Sequence, residues 1–186
     1  MPRQRTFEQR YKDLMRHAEW DVWSTYIKKV KKSFCQMIRA EYGAVDRDEP
    51  AVVNGKIEYV HSPIGYCVCV TSGKVYPSAG DNVAGRLDTG HFKQSLRIVL
   101  EETNAHPQSK YNNRPLYGGS GETAFYQIYM EHRYGQDEID RLMRIKHAKD
   151  WQPPSIDSLV RKRIEFEDRR DAAKAIIEAG SCSSTA

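Results

Sequence analysis

Apolar positions recur every three or four residues through the first forty residues of the chain. Residues 6–42 contain neither Gly nor Pro, and Trp20, Trp23, Ile27, Val30, Phe34 and Ile38 fall on helical spacing. The pattern predicts one long helix. Trp23, Ile27, Val30 and Phe34 would form a stripe for core packing, with Lys28, Lys29, Lys31 and Lys32 around the rest. Residues 43–65 break the periodicity with Gly, Pro, Asn and Asp and read as loop, with a weak strand near 56–60. YCVCV at 66–70, the turn residues Ser72 and Gly73, and then Lys74, Val75 and Tyr76 predict a short β-hairpin. Residues 77–90 read as a long loop. Residues 90–104 begin as strand or loop, and their middle, SLRIVLEE, fits helix or strand. Residues 106–122, rich in Asn, Pro and Gly, read as loop. Helical spacing returns over 122–147, with Phe125, Ile128, Tyr129 and His132 on one face and Gly135 ending a first helix before a second. Pro153 and Pro154 break the chain. A last helix, dense in alternating charge, runs from 155 to about 179, and the tail GSCSSTA reads as disordered.

Composition narrows the class. With 186 residues, 39% hydrophobic and 29% charged, the chain fits one globular domain with appendages or two small ones. Boundaries fall at a basic N-terminal helix (1–45), a core with its following helices (46–150) and a charged C-terminal helix with tail (151–186). No apolar run approaches the roughly 18–20 residues that span a bilayer, so no membrane partner is expected. The N-terminus is basic without an apolar segment, which argues against a secretory signal and for work in the cytoplasm. The net charge is +4, and residues 1–42 hold ten Lys and Arg against five Asp and Glu. That distribution suits a polyanion partner, although a solvated helix face would look the same. Cys35, Cys67, Cys69 and Cys182 form no C-x-x-C pair, and reduced thiols are the default.

The chemistry concentrates between Cys69 and Asn113. His91 follows Gly90 in LDTGHF, with Asp88 three residues before it. Asn104 follows about a dozen residues later, and Asn112 and Asn113 about twenty. A His with nearby Asp and Asn suits phosphodiester hydrolysis: the imidazole takes a proton from water, and oxygen ligands hold one hard cation that offsets charge on phosphate and leaving oxygen. Lys93, Arg97, Lys110 and Arg114, with Lys28, Lys31 and Lys32 upstream, are candidate phosphate contacts. Tyr111, Tyr117, Phe125, Tyr126 and Tyr129 make an aromatic patch that fits core packing better than base stacking.

The same stretch resembles the HNH (ββα-metal) nucleases, and most specifically the phage recombination proteins of the Rap/NinG family. That family runs C-x-x-C-G, a loop, A-G-H-[YF], a spacer and E-x-N-x-H-x-Q-C-x-x-C-N. Here stand Cys69, Ser72 and Gly73, then Thr89, Gly90, His91 and Phe92, then Glu102, Asn104, His106, Gln108, Ser109, Asn112 and Asn113. The resemblance extends over roughly 20–145 and is specific over 89–113. It implies an α+β fold, a small ββα-metal core (about 66–135) embraced by helices from both ends. It also implies a DNA endonuclease using one Mg²⁺ or Mn²⁺ per active site. His91 would be the general base, and Asn113 a metal ligand. Asn104 would brace the loop and orient the His91 ring through its amide. HNH enzymes commonly carry Asp or His directly before the base, where this chain has Gly90; Asp88 is then the nearest carboxylate for the metal, with His106 as runner-up ligand or phosphate contact. Of the family's four zinc cysteines only Cys69 stands at its place, with Ser72, Ser109 and Asn112 at the others. One thiolate does not hold a structural zinc, so none is expected, and hydrogen bonds or packing must join the hairpin to the Asn-containing turn.

Branched recombination intermediates or a specific duplex site are the substrates this implies, in a host cell's cytoplasm if the gene is a phage's. A homodimer paired through the long N-terminal helix would cut both strands where a monomer nicks. Two other classes stay open: an HNH-fold protein that binds DNA without cutting it, and a helical interaction protein without DNA affinity.

Overall fold

The computed structural model describes residues 5–18, 21–78, 87–113 and 123–183, with residues 181–183 as backbone alone. The N-terminal pattern folds as two helices rather than one, α1 (Phe7–Ala18) and α2 (Trp23–Gly43). The chain turns between them where the Asp21 N–H bonds back to the Ala18 carbonyl. Both pack on the C-terminal helix α5 (Ile156–Ser183), which the turn permits and a single straight rod would not. The stripe is buried as its spacing predicts. Ile27, Val30, Phe34 and Ile38 join Leu159, Val160, Ile164 and Phe166 of α5 in one core. Each such side chain withdrawn from water contributes about 1.5–3 kcal/mol. That face is therefore covered within one chain, in the core role expected of it. Trp23 is half-buried and its indole N–H donates to the Pro154 carbonyl at 2.9 Å, while Trp20 and Tyr117 lie outside the described residues.

Residues 43–65, expected as loop with one weak strand, form a full antiparallel hairpin of β1 (Arg47–Val53) and β2 (Lys56–Ser62). Its two-residue turn, Asn54 and Gly55, has φ values of 51° and 80°. That left-handed pair matches the twist of the flanking strands, and Asn-Gly is the dipeptide that adopts it most readily. The second hairpin lies where it was expected, β3 (Tyr66–Val68) against β4 (Val75–Pro77). A third joins β5 (Leu87–His91) to β6 (Ala105–Ser109), with His91 opposite Ala105 and Leu87 opposite Ser109. β6 replaces an expected loop. Its five residues are all buried, so the strand shows no polar alternation.

A four-residue helix, α3 (Lys110–Asn113), follows β6 and packs on β5. The long helix α4 (Thr123–His147) breaks at Gly135, where φ is 77°, close to the expected helix end. α5 continues to Ser183, beyond the point where a disordered tail was expected. The class is α+β, with the β-hairpins embraced by helices from both chain ends. Two cores meet at the segment 92–104 that joins β5 to β6. Val99 and Ala105 belong to the α2–α5 core, and Phe92 and Ile98 to a second core with Val52, Val70, Tyr126, Tyr129 and Met130. Tyr126 and Tyr129 are thus core residues, as their packing reading anticipated, whereas Tyr111 is exposed. No helix among the described residues is long and apolar enough to cross a membrane.

Candidate active site and nucleic-acid cleft

His91 ends β5 and is only 7% exposed, with the Phe34 ring of α2 6.3 Å away. Its Nε2 lies 3.0 Å from the Val99 carbonyl. A carbonyl only accepts, so Nε2 carries the proton and Nδ1 holds the lone pair. Burial pushes the imidazole pKa down to about 4, and the positive charge of Lys31 pushes it the same way. The Val99 bond and Asp88 offset part of this. At neutral pH the ring is uncharged, with a basic nitrogen that has no hydrogen-bond partner among the described residues.

The loop that presents Val99 is tied by Asn104, which is fully buried. Its amide oxygen accepts the Lys93 N–H at 2.9 Å, and its amide nitrogen donates to the carbonyls of Lys93 at 3.1 Å and Ile98 at 3.0 Å. The Asn104 carbonyl accepts the Phe92 N–H at 2.9 Å. Asn104 is therefore the loop brace that was expected. Its amide does not touch the imidazole, however; the ring is oriented by the carbonyl of Val99, one residue beyond a carbonyl that Asn104 holds.

Beside β5 lies a cleft of about 310 Å³ lined by Lys28, Lys31, Lys32, Cys35, Gln36, Arg39 and Asp88. These α2 residues fall at helical spacing, so one face of α2 makes the wall. Lys28, Lys31 and Lys32 form no ion pair among the described residues, whereas Lys29 is paired with Asp21 at 2.6 Å. Asp88 is half-buried; its Oδ1 accepts the Thr89 N–H at 2.9 Å and lies 3.8 Å from Arg39. Arg39 escaped the sequence reading although it shares a helical face with Lys28, Lys32 and Cys35. Burial pushes the Cys35 thiol up to about 11, so it lines the cleft as a neutral group.

The other expected phosphate contacts divide. Lys93 is half-buried with its ammonium 4.1 Å from the centre of the Phe92 ring, and burial lowers its pKa. Arg97 is engaged elsewhere: it donates to the carbonyls of Lys146 and Ala148 at the end of α4 and lies over Trp151. Lys110 opens α3 half-buried, and Arg114 lies outside the described residues. His106 is corrected outright. It is fully buried with both ring nitrogens bonded to tyrosines, Nδ1 to Tyr126 at 2.9 Å and Nε2 to Tyr134 at 2.8 Å, so it has no donor left for a metal or a phosphate.

Cys69, Ser109 and Asn112 converge, and hydrogen bonds join them. The Ser109 N–H donates to Cys69 Sγ at 3.2 Å, and the Asn112 N–H to Ser109 Oγ at 3.1 Å. The Asn112 amide reaches Cys69 Sγ at 3.9 Å and Thr71 Oγ1 at 3.1 Å, and the Gln108 amide reaches Thr71 Oγ1 at 3.1 Å. Ser72 turns back through its N–H to the Cys69 carbonyl, leaving a buried hydroxyl without a hydrogen-bond partner among the described residues. Thr71 and Gln108 are members that sequence reasoning missed. Gln108 also covers Gly90: a Cβ there would collide with Gln108 Oε1. No acidic side chain fits at position 90 while Gln108 keeps this place.

Among the described residues no three His, Cys, Asp or Glu side chains converge as a metal-binding group. A hard cation such as Mg²⁺ binds through one or two carboxylates and completes its shell with water and substrate phosphate. The half-buried Asp88 carboxylate and the half-buried Asn113 carboxamide, on elements packed together, have the donor chemistry for such a cation. In comparisons with known proteins, no family model, no curated protein and no solved structure matches this chain.

Proposed function

We propose that this chain is a DNA endonuclease of the HNH type that binds the phosphate backbone along the α2 cleft and hydrolyses it beside His91. The observation that carries the reading is the state of His91: neutral, held by one nitrogen and with a lone pair at the other, within the field of Lys31, which lines the α2 cleft with Lys28 and Lys32 and, like them, forms no ion pair among the described residues. Such a nitrogen can take the proton of an attacking water. A phosphate in the cleft would raise the His91 pKa toward the working range, because its negative charge opposes that of Lys31. Asp88 and Asn113 would hold Mg²⁺ or Mn²⁺, which supplies positive charge against the phosphate and the departing oxygen when bound. Lys28, Lys31 and Lys32 supply sequence-independent affinity.

The test is cleavage of supercoiled plasmid and of a synthetic four-way junction with Mg²⁺, with Mn²⁺ and with EDTA, for the wild type and His91→Ala. Metal-dependent cutting that falls by about 10²–10⁴ in the variant is expected. A second reading, DNA binding without cleavage, draws on two observations: Arg39 faces Asp88, and Gln108 fills the space where a carboxylate would stand at position 90. It predicts binding that weakens with salt and no cutting of either substrate. In both readings the combined change of Lys28, Lys31 and Lys32 to Gln lowers the slope of log affinity against log salt by about 1 per lysine.

A further inference from the structure

The carbonyl of Gly90, the residue directly before the base, is held by a chain of hydrogen bonds that begins in the core. Tyr126 Oη donates to the Gly90 carbonyl at 3.0 Å. A tyrosine has one proton, so its oxygen can only accept from His106 Nδ1, 2.9 Å away. His106 therefore carries its proton on Nδ1, and its Nε2 accepts the Tyr134 O–H at 2.8 Å. Each donor in the chain follows from the one before it. His106 and Tyr126 are essentially inaccessible to solvent, so no water competes for the bond between them, while Tyr134 at the outer end of the chain is half-buried. Gly90 has no side chain with which to fix its own peptide, and Gln108 occupies the space where one would begin. The peptide that delivers His91 is thus held through its carbonyl.

We propose that Tyr134, His106 and Tyr126 form a positioning relay that fixes the Gly90–His91 peptide and so sets the His91 ring against the Val99 carbonyl. The relay rests on the reading of His91 as the base, and none of its members touches substrate. A misplacement of about an ångström at a reacting group costs up to about a hundredfold in rate. Tyr126→Phe keeps the ring in the core and removes only the hydroxyl that holds Gly90.

The test uses the full chain and two readouts. Long-range ¹H–¹⁵N NMR of the imidazole nitrogens reports tautomers without any substrate. In the wild type His91 gives the Nε2–H pattern and His106 the Nδ1–H pattern. In Tyr126→Phe both move toward mixed tautomers while the thermal melt stays cooperative. On DNA with Mg²⁺, kcat falls roughly tenfold or more with KM unchanged, and Tyr126→Phe adds no further loss to His91→Ala. If the variant melts lower but leaves both ring patterns and the kcat-to-KM split as in the wild type, Tyr126 is only a packing residue and the relay is overturned. If the wild type cuts no DNA, the base assignment fails, and the His91 pattern in Tyr126→Phe still decides the relay. If Tyr126→Phe does not fold, Tyr134→Phe reads one link out: a His106 ring that loses its fixed Nδ1–H tautomer supports the relay, and one that keeps it overturns it.

Discussion

The β5–β6 hairpin carries two polar clusters that use their hydrogen-bonding capacity in opposite ways. At one end Cys69, Thr71, Gln108, Ser109 and Asn112 bond to one another in a sealed knot, and farther along β6 His106, opposite Gly90, has both nitrogens committed to tyrosines. At the other end His91 has one nitrogen committed and one without a partner among the described residues, in the field of the Lys31 and Asp88 that line the cleft. Buried polar groups that satisfy each other specify architecture. A group that keeps capacity in reserve next to a cleft has something to offer a ligand. Two histidines on paired strands, one expected as the base and the other as runner-up ligand or phosphate contact, thus fall on different sides of that line.

The strongest way to break the comparison is to remove each ring in turn. His91→Ala should lose cleavage by about 10²–10⁴ with a smaller loss of stability than His106→Ala, because among the described residues only one of its ring nitrogens is bonded, to the Val99 carbonyl. His106→Ala should instead cost about 2–4 kcal/mol of stability, because it opens a cavity and leaves the hydroxyl of Tyr134 and the oxygen of Tyr126 without their partner. Urea unfolding beside the cleavage assay separates the two. A His106→Ala chain as stable as the wild type would mean that the core does not depend on that ring.

Acid sharpens the same contrast. Burial, with a smaller push from Arg133 and His91, holds the His106 imidazole down to about 3. The unfolded chain takes up that proton near the ordinary value of about 6.5. Between the two, the unfolded state binds more protons than the folded one. The contribution is therefore complete above about pH 6.5 and is lost progressively as pH falls toward 3. Unfolding free energies at pH 7, 5.5 and 4.5 should fall by a few kcal/mol in the wild type and by clearly less in His106→Ala. Parallel curves for the two would assign the acid sensitivity to other groups.

What was legible in the sequence divides along the same lines, by distance along the chain. The α2 stripe, the β3–β4 hairpin and the break at Gly135 each follow from neighbours a few residues apart. The Asn104 brace was legible for the same reason, since its partners lie 11 and 6 residues away. The fate of His106 was not, because Tyr126 and Tyr134 arrive from 20 and 28 residues downstream. The facing of Asp88 by Arg39 and three lysines depends on α2 packing against β5, which no local pattern encodes. β1 hid behind Asp48, Glu49 and Pro50, whose charges and imino ring lower strand propensity, although the Asn54-Gly55 turn was the available signal.

The smallest effect tests whether the knot is as closed as the comparison claims. Ser72 Oγ is its one buried side-chain atom without a hydrogen-bond partner among the described residues, and its N–H already bonds the Cys69 carbonyl. Removing an unsatisfied buried hydroxyl relieves a desolvation cost and breaks no bond, so Ser72→Ala should raise stability by about 1 kcal/mol. Asn112→Ala, on the same site, should lower it by about 1–3 kcal/mol, because Thr71 and Cys69 lose a donor that water cannot replace. Differential scanning calorimetry on the pair gives opposite signs if the knot is held by its own hydrogen bonds. A loss of stability in Ser72→Ala would place that hydroxyl among the knot's working contacts and leave Asn112 as one member of a looser set.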